Sequence, residues 1–164
     1  MYEIITDILE KNPKHHFNFI RNSNSPIRHL KEQTTSVPDS AGLYLVFCLF
    51  SFKQVEDHLK FTINGELYSL LYFGKAGGIT KRGKMIKQGL KGRLNNVTSD
   101  SQRNLIDVKR AVYWNLIMNE FLIDNFCIYF SLNGNPQELE DAIYFFLDNN
   151  SKSYPLINKK RGRH

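Results

Sequence analysis

Seven Lys and Arg, and no Asp or Glu, stand between Leu67 and Ser99. A window of that kind cannot neutralise itself, so Lys75, Lys81, Arg82, Lys84, Lys87, Lys91 and Arg93 must face water, phosphates or carboxylates from elsewhere in the chain. Nucleic acid is the partner class this implies. Lys81, Arg82, Lys84, Lys87 and Lys91 are the candidate DNA contacts, because the glycines among them let backbone come close to a phosphate. Gly78 to Lys84 also matches the spacing of a nucleotide-binding phosphate loop, but Met85 follows where that loop needs a magnesium-binding hydroxyl. A mobile basic loop accounts for the same glycines more simply.

Groups of another kind flank and overlap this window. Gly42-Leu43-Tyr44 and Tyr72-Phe73-Gly74 each place a tyrosine near a glycine on a segment that reads as a strand. Pro38 precedes the first tripeptide, and Lys75 directly follows the second. Arg93 lies in Leu90-Lys91-Gly92-Arg93-Leu94, Glu140 in Leu139-Glu140-Asp141-Ala142-Ile143, and Asn158 in Pro155-Leu156-Ile157-Asn158-Lys159. In this order the set resembles the signature of the GIY-YIG nuclease family, over Pro38 to Lys159. Tyr44 and Tyr72 are 28 residues apart and Tyr72 and Arg93 are 21 apart. Spacers of that length look more like the small restriction endonucleases of the family than its compact repair and homing members. Val97 stands where the family often has a histidine, one helical turn after the arginine.

The resemblance implies a small α+β domain, with a central three-stranded antiparallel sheet flanked by helices, that hydrolyses DNA phosphodiesters with one divalent metal, Mg2+ or Mn2+. Its catalytic set maps onto Tyr44, Tyr72, Lys75, Arg93, Glu140 and Asn158. Tyr72 is the candidate for activating the attacking water, with Tyr44 orienting water or phosphate beside it. A free tyrosine has a pKa of about 10, so Tyr72 needs nearby positive charge, which Lys75 and Arg93 are expected to provide. Glu140 is the expected metal ligand, a hard oxygen donor of the kind magnesium prefers. The guanidinium of Arg93 and the metal would stabilise the charge that develops on the phosphoryl oxygens. Glu138 competes for the metal; Glu140 fits better because Ile143 follows at the family's interval. The expected activity is a restriction-type endonuclease. The alternatives are a DNA-binding module that has lost catalysis and a repair or nicking nuclease. One site cuts one strand at a time, so a homodimer on DNA is expected for a duplex break; Tyr113, Trp114, Phe121 and Tyr144 are surplus aromatic residues that could supply its interface, core packing being the commoner fate of most of them.

Positioning these groups falls to elements whose bounds are legible. Ile4, Ile5, Ile8 and Leu9 cluster at helical spacing, so Tyr2 to Lys11 is expected to be an amphipathic helix that Asn12-Pro13 ends. A further helical turn is expected at Ile27 to Lys31, and a turn at Pro38 to Gly42. Leu43 to Phe50 reads as a buried strand, and Asn64-Gly65 as a hairpin turn joining Phe61 to Ile63 with Leu67 to Phe73. Helices are expected over Gln88 to Val97, Gln102 to about Asn119, and Pro136 to Leu147, the last with Leu139, Ala142, Ile143 and Phe146 inward. Asn125 to Leu132 is expected to be a strand.

At 164 residues and 41% apolar the chain suits a single domain. The division expected is an N-terminal helical extension over 1–37, the nuclease-like domain over 38–159 and a basic tail over 160–164. Cys48 and Cys127 lie in apolar runs and read as small core hydrophobes, with neither a disulfide framework nor a CxxC pair. His15-His16 does not converge on one metal, so zinc is not expected. Glu3, Asp7 and Glu10 interrupt the N-terminal apolar residues, unlike a signal peptide, and no run has membrane-spanning length. A cytoplasmic protein without a membrane partner is the expectation.

Overall fold

The computed structural model describes residues 1–11, 14–20, 36–49, 55–95, 118 and 120–158. Helix α1 (Tyr2–Lys11) is followed by strands β1 (His16–Ile20) and β2 (Gly42–Leu49). A single 3-10 turn (Asp57–Leu59) then leads into β3 (Lys60–Ile63) and β4 (Glu66–Ala76). Helix α2 (Leu90–Asn95), strand β5 (Asn125–Leu132) and helix α3 (Pro136–Asn149) complete the order. The helical turn expected at 27–31, most of the helix expected at 102–119 and the basic tail lie outside the described residues.

The strands form one antiparallel sheet in the order β1-β5-β2-β4-β3. The α+β class is as expected, but the sheet has five strands rather than three. Four of them were legible as segments. The fifth, β1, lies in the stretch expected to be an N-terminal helical extension. His16-Phe17-Asn18-Phe19-Ile20 alternates exposed and buried positions, because Phe17 and Phe19 face the core while β1 pairs with β5. Asn64 and Gly65 both have positive φ, 50° and 79°, so the β3–β4 connection is the expected tight turn of the primed type. Helices α1 and α3 begin where the sequence placed them.

Each face of the sheet carries its own core. On one face Phe17, Phe19, Tyr44, Val46, Cys48, Phe126, Ile128 and Phe130 meet Leu90 and Leu94 of α2. On the other, Leu43, Leu45, Phe47, Phe73 and Tyr129 meet Ile5 and Ile8 of α1 and Ile143 and Leu147 of α3. Phe47 packs edge-on against both Phe61 and Tyr129, at centroid distances of 5.8 and 6.0 Å, an arrangement worth about 0.5–1.5 kcal/mol per pair beyond area burial. Ala142, expected inward, is exposed, since the buried stripe of α3 runs through Ile143 and Leu147.

The short helix α2 is held at its start by the turn before β2. Pro38 O accepts from Lys91 N, Ser40 O from Leu90 N, and the Asp39 carboxylate from Gly92 N at 3.1 Å. This satisfies helix-start N–H groups that have no partner within the helix. Gly89 must be glycine here, because a Cβ would lie 2.5 Å from the Asp39 backbone. No helix among the described residues is long and apolar enough to cross a membrane.

Cys48 and Cys127 are buried, as expected, and burial pushes their thiols up to about 12 and about 11. Burial also raises Tyr129 to about 12. Above the ordinary thiol range the unfolded chain gives up protons that the folded chain keeps, so stability falls as pH rises from about 9 toward those values. Thermal melts across that range should show a steep alkaline loss that is shallower in Cys48→Ala/Cys127→Ala; equal slopes would mean the thiols are not its source.

Candidate active site on the β2–β4 pair

Tyr44 and Tyr72 come together through an irregularity in β4. Phe47 pairs with Leu70, yet Val46 pairs with Tyr72, so Leu71 is an extra residue, a β-bulge. Strict alternation from Leu70 would send Tyr72 to the α1/α3 face. The bulge turns it onto the α2 face instead, where its ring lies 5.7 Å from that of Tyr44 at 38°. Tyr44 is only 1% exposed, while Tyr72 is half-buried. Tyr72 is therefore the phenol of the pair that solvent or substrate reaches.

The two motif glycines have physical reasons. Gly74 sits opposite Tyr44 in the β2–β4 register, and a Cβ there would lie 2.7 Å from the Tyr44 hydroxyl oxygen and 2.8 Å from Tyr72 Cε1. The absent side chain is what lets Tyr44 lie across β4. A Cβ on Gly42 would collide with the backbone carbonyl oxygen of Ser131 on β5 and come within 2.7 Å of Leu90. The first glycine thus sets how closely β2, β5 and α2 approach.

Arg93 lies on α2, which covers this same face through Leu90 and Leu94, and it is half-buried. The other three candidates are placed differently. Lys75 pairs with Leu43, so alternation turns it to the opposite face, away from Tyr72, and it does not supply the charge expected near that phenol. Glu140 is carried by α3 on the Lys75 side. One turn later the Tyr144 ring packs at a tilt against Phe73, centroids 4.7 Å apart, and Pro136 abuts Gly78, so Glu140 stands between those contacts, level with the end of β4.

Asn158 is a clamp rather than a solvent-facing group. Beyond Ser69 the outer edge of β4 has no β3 partner, and the segment before Lys159 closes it. Ile157 N donates to Leu71 O at 2.9 Å. The Asn158 carboxamide accepts from Phe73 N and donates to Phe73 O, both at 3.0 Å, and also donates to the Tyr144 hydroxyl at 3.2 Å. A buried side chain with those bonds positions β4 and so acts on Tyr72 and Gly74 through the backbone.

The basic segment forms a hairpin. Ile79 bridges to Met85, Thr80 N donates to Lys84 O, Gly83 N to Thr80 O, and Ile86 N to Gly78 O, with Gly83 at φ 76°. This hairpin stands where a phosphate cradle was considered from sequence, and α2 starts only at Leu90, so no helix follows the glycines directly. Arg82, Lys84 and Lys87 are exposed, and Lys91 is half-buried on α2. Lys81 finds a distant carboxylate, Asp141 on α3, at 3.2 Å. An open cleft of about 530 Å³ lies between Ile79–Lys81 and the first turns of α3, bordered by Glu138 and Asp141 rather than Glu140.

Among the described residues no group of three or more His, Cys, Asp or Glu converges on one point. A magnesium site does not require one, since a single carboxylate leaves the remaining positions to water and phosphate oxygens. Glu138 accepts from the Asn135 side chain at 3.0 Å at the helix start, and Asp141 takes Lys81. No family model, curated protein or solved structure matches the chain.

Sequence reading missed Asp39, Asp141 and Tyr144, which cap α2, hold Lys81 and support Asn158. Only Asp39 left a signal, as an acid in the turn before the first motif. Tyr144, one of the surplus aromatic residues, has the core-packed fate rather than the interface one, lying between Phe73 and Tyr154.

Gly74→Ala is expected to cost about 1–3 kcal/mol, the range for overpacking, and to change the near-ultraviolet dichroism of the tyrosines. Asn158→Ala should cost a similar amount, about 1–3 kcal/mol, by orphaning the Phe73 backbone groups. Denaturant melts check both; a neutral Asn158→Ala would remove the clamp.

Proposed function

We propose that this chain is a divalent-metal-dependent DNA endonuclease of the GIY-YIG type. The observation that carries the reading is the contact of Tyr44 with Tyr72 across Gly74, on the sheet face that α2 covers with Arg93. Gly74 and both tyrosines of the resemblance take part in that arrangement, and Gly42 sets how closely α2 approaches it.

In this reading Tyr72 accepts the proton of the attacking water and Tyr44 fixes its ring. Arg93 stabilises negative charge on the phosphoryl oxygens, a contribution on the scale of two or more orders of magnitude in rate. Glu140 would hold the metal, which supplies charge neutralisation to the phosphate when bound. Lys81, Arg82, Lys84, Lys87 and Lys91 would contact the DNA backbone. A restriction role is the biological setting proposed, with two subunits acting on a duplex. A second reading, DNA binding without cleavage, is favoured by one observation: Lys75 and α3 lie across the sheet from the tyrosine pair.

Supercoiled plasmid and genomic DNA incubated with the protein in Mg2+, Mn2+ or EDTA separate the two. Metal-dependent cleavage is expected, with Tyr72→Phe and Arg93→Ala each slowing turnover about a hundredfold or more. Glu140→Gln should abolish cleavage while DNA binding survives. Near-normal rates in Tyr72→Phe and Arg93→Ala would overturn the site, loss in Glu138→Gln instead would move the metal ligand, and no cleavage of any DNA form would leave the binding module.

A further inference from the structure

The hairpin after β4 carries an exposed apolar pair that the core does not use. Ile79 is 53% exposed and Met85 71% exposed, and they face each other across the bridge. Around them stand Lys81, Arg82, Lys84 and Lys87, all exposed, in a window with no acid. A lone two-stranded hairpin is marginal in water, yet this one is pinned at its base. A Cβ on Gly78, at φ 78°, would lie 2.7 Å from Pro136 of α3, and Lys81 is tied to Asp141 of the same helix.

We propose that Gly78 to Ile86 is a two-stranded ribbon that enters the major groove of duplex DNA, with Ile79 and Met85 as its apolar reading face and Arg82 and Lys84 as its phosphate anchors. The inference rests on DNA being the partner under the proposed function, and it names residues that govern recognition rather than cleavage. Charge complementarity selects the occupant, since a polyanion is what an uncompensated basic ribbon attracts. Two strands about 4.8 Å apart, with their side chains, suit the roughly 12 Å major groove and exceed the roughly 6 Å minor groove. Thymine methyl groups lie in the major groove and offer an apolar pair something to touch that phosphate does not. The unbranched Met85 adapts to such a surface without a fixed shape of its own. Gly78 packed against Pro136, with the Lys81–Asp141 pair beside it, places the ribbon on α3 before binding and lowers the ordering cost.

Anisotropy of a labelled mixed-sequence duplex of about three helical turns, titrated with salt in EDTA, tests this without any cleavage. Ile79→Ser/Met85→Ser is expected to weaken binding about tenfold with an unchanged salt slope and an unchanged melting temperature, because apolar surface and no charge is removed. Arg82→Ala/Lys84→Ala should lower the slope by about two, one for each phosphate that is no longer neutralised. Methyl green, which occupies the major groove, should compete, and netropsin, which occupies the minor groove, should not. Native-like binding by Ile79→Ser/Met85→Ser, competition by netropsin alone, or no binding by the native protein would each overturn the ribbon. Plasmid cleavage in Mg2+ is read separately. Binding with the expected pattern but no cutting keeps the ribbon and removes the nuclease reading, while cutting with an unaffected serine variant does the reverse.

Discussion

The single extra residue at Leu71 decides what each face of the sheet carries. In a strand the side chains alternate strictly, so one inserted residue exchanges the faces of everything beyond it. Before the bulge, Ser69 and Leu70 keep the parity set by the β3–β4 hairpin. After it, Tyr72 and Gly74 face α2 while Phe73 and Lys75 face the side of α3. Removing the bulge would bury Tyr72 among Phe73's present neighbours and turn Phe73 toward α2. The tyrosine pair, the need for Gly74 and the Phe73–Tyr144 contact all depend on this one irregularity.

A bulge leaves a strand locally bent, and here it falls where β4 also loses its β3 partner. The open edge is closed by Ile157 and by the Asn158 carboxamide, which substitutes for a neighbouring strand by offering Phe73 both an acceptor and a donor. Exposed strand edges invite pairing with other chains, and a covered one does not. The same bonds hold Phe73 against Tyr144, so the tail segment, α3 and the bulged strand form one packed unit. Tyr44, buried beneath Tyr72, completes that unit from the opposite face.

Charge is distributed by the same framework. Lys81 of the basic window pairs with Asp141, which ties the hairpin to α3. The remaining cations of the hairpin stay in solvent. On α3, Glu138 accepts from the Asn135 side chain and Asp141 pairs with Lys81. The candidate cleavage residues are thereby divided. Tyr44, Tyr72 and Arg93 belong to the α2 side, while Lys75 and Glu140 belong to the α3 side, at the end of β4 where the chain turns through Gly77 and Gly78.

Sequence alone determined the elements that rest on local physics. The Asn64-Gly65 turn, the start of α3 at Pro136 and the apolar β2 and β5 follow from dihedral preference and from runs too apolar to lie in water. It also singled out the two tyrosines and their glycines as a set. The five-residue β1 escaped because its alternation is brief and follows a helix, and strand status came from pairing with β5, a partner more than a hundred positions away. Parity along β4 was equally beyond local reading, since nothing in Leu70-Leu71-Tyr72 marks which leucine is the extra one. Asn158, Asp141 and Lys75 look alike from sequence as polar surface residues, and only the tertiary structure makes one a clamp, one a counter-ion and one a cation facing away from Tyr72. Hydrogen-bond partners and sheet faces are set by what the rest of the chain brings alongside, and that information is not carried by any short segment.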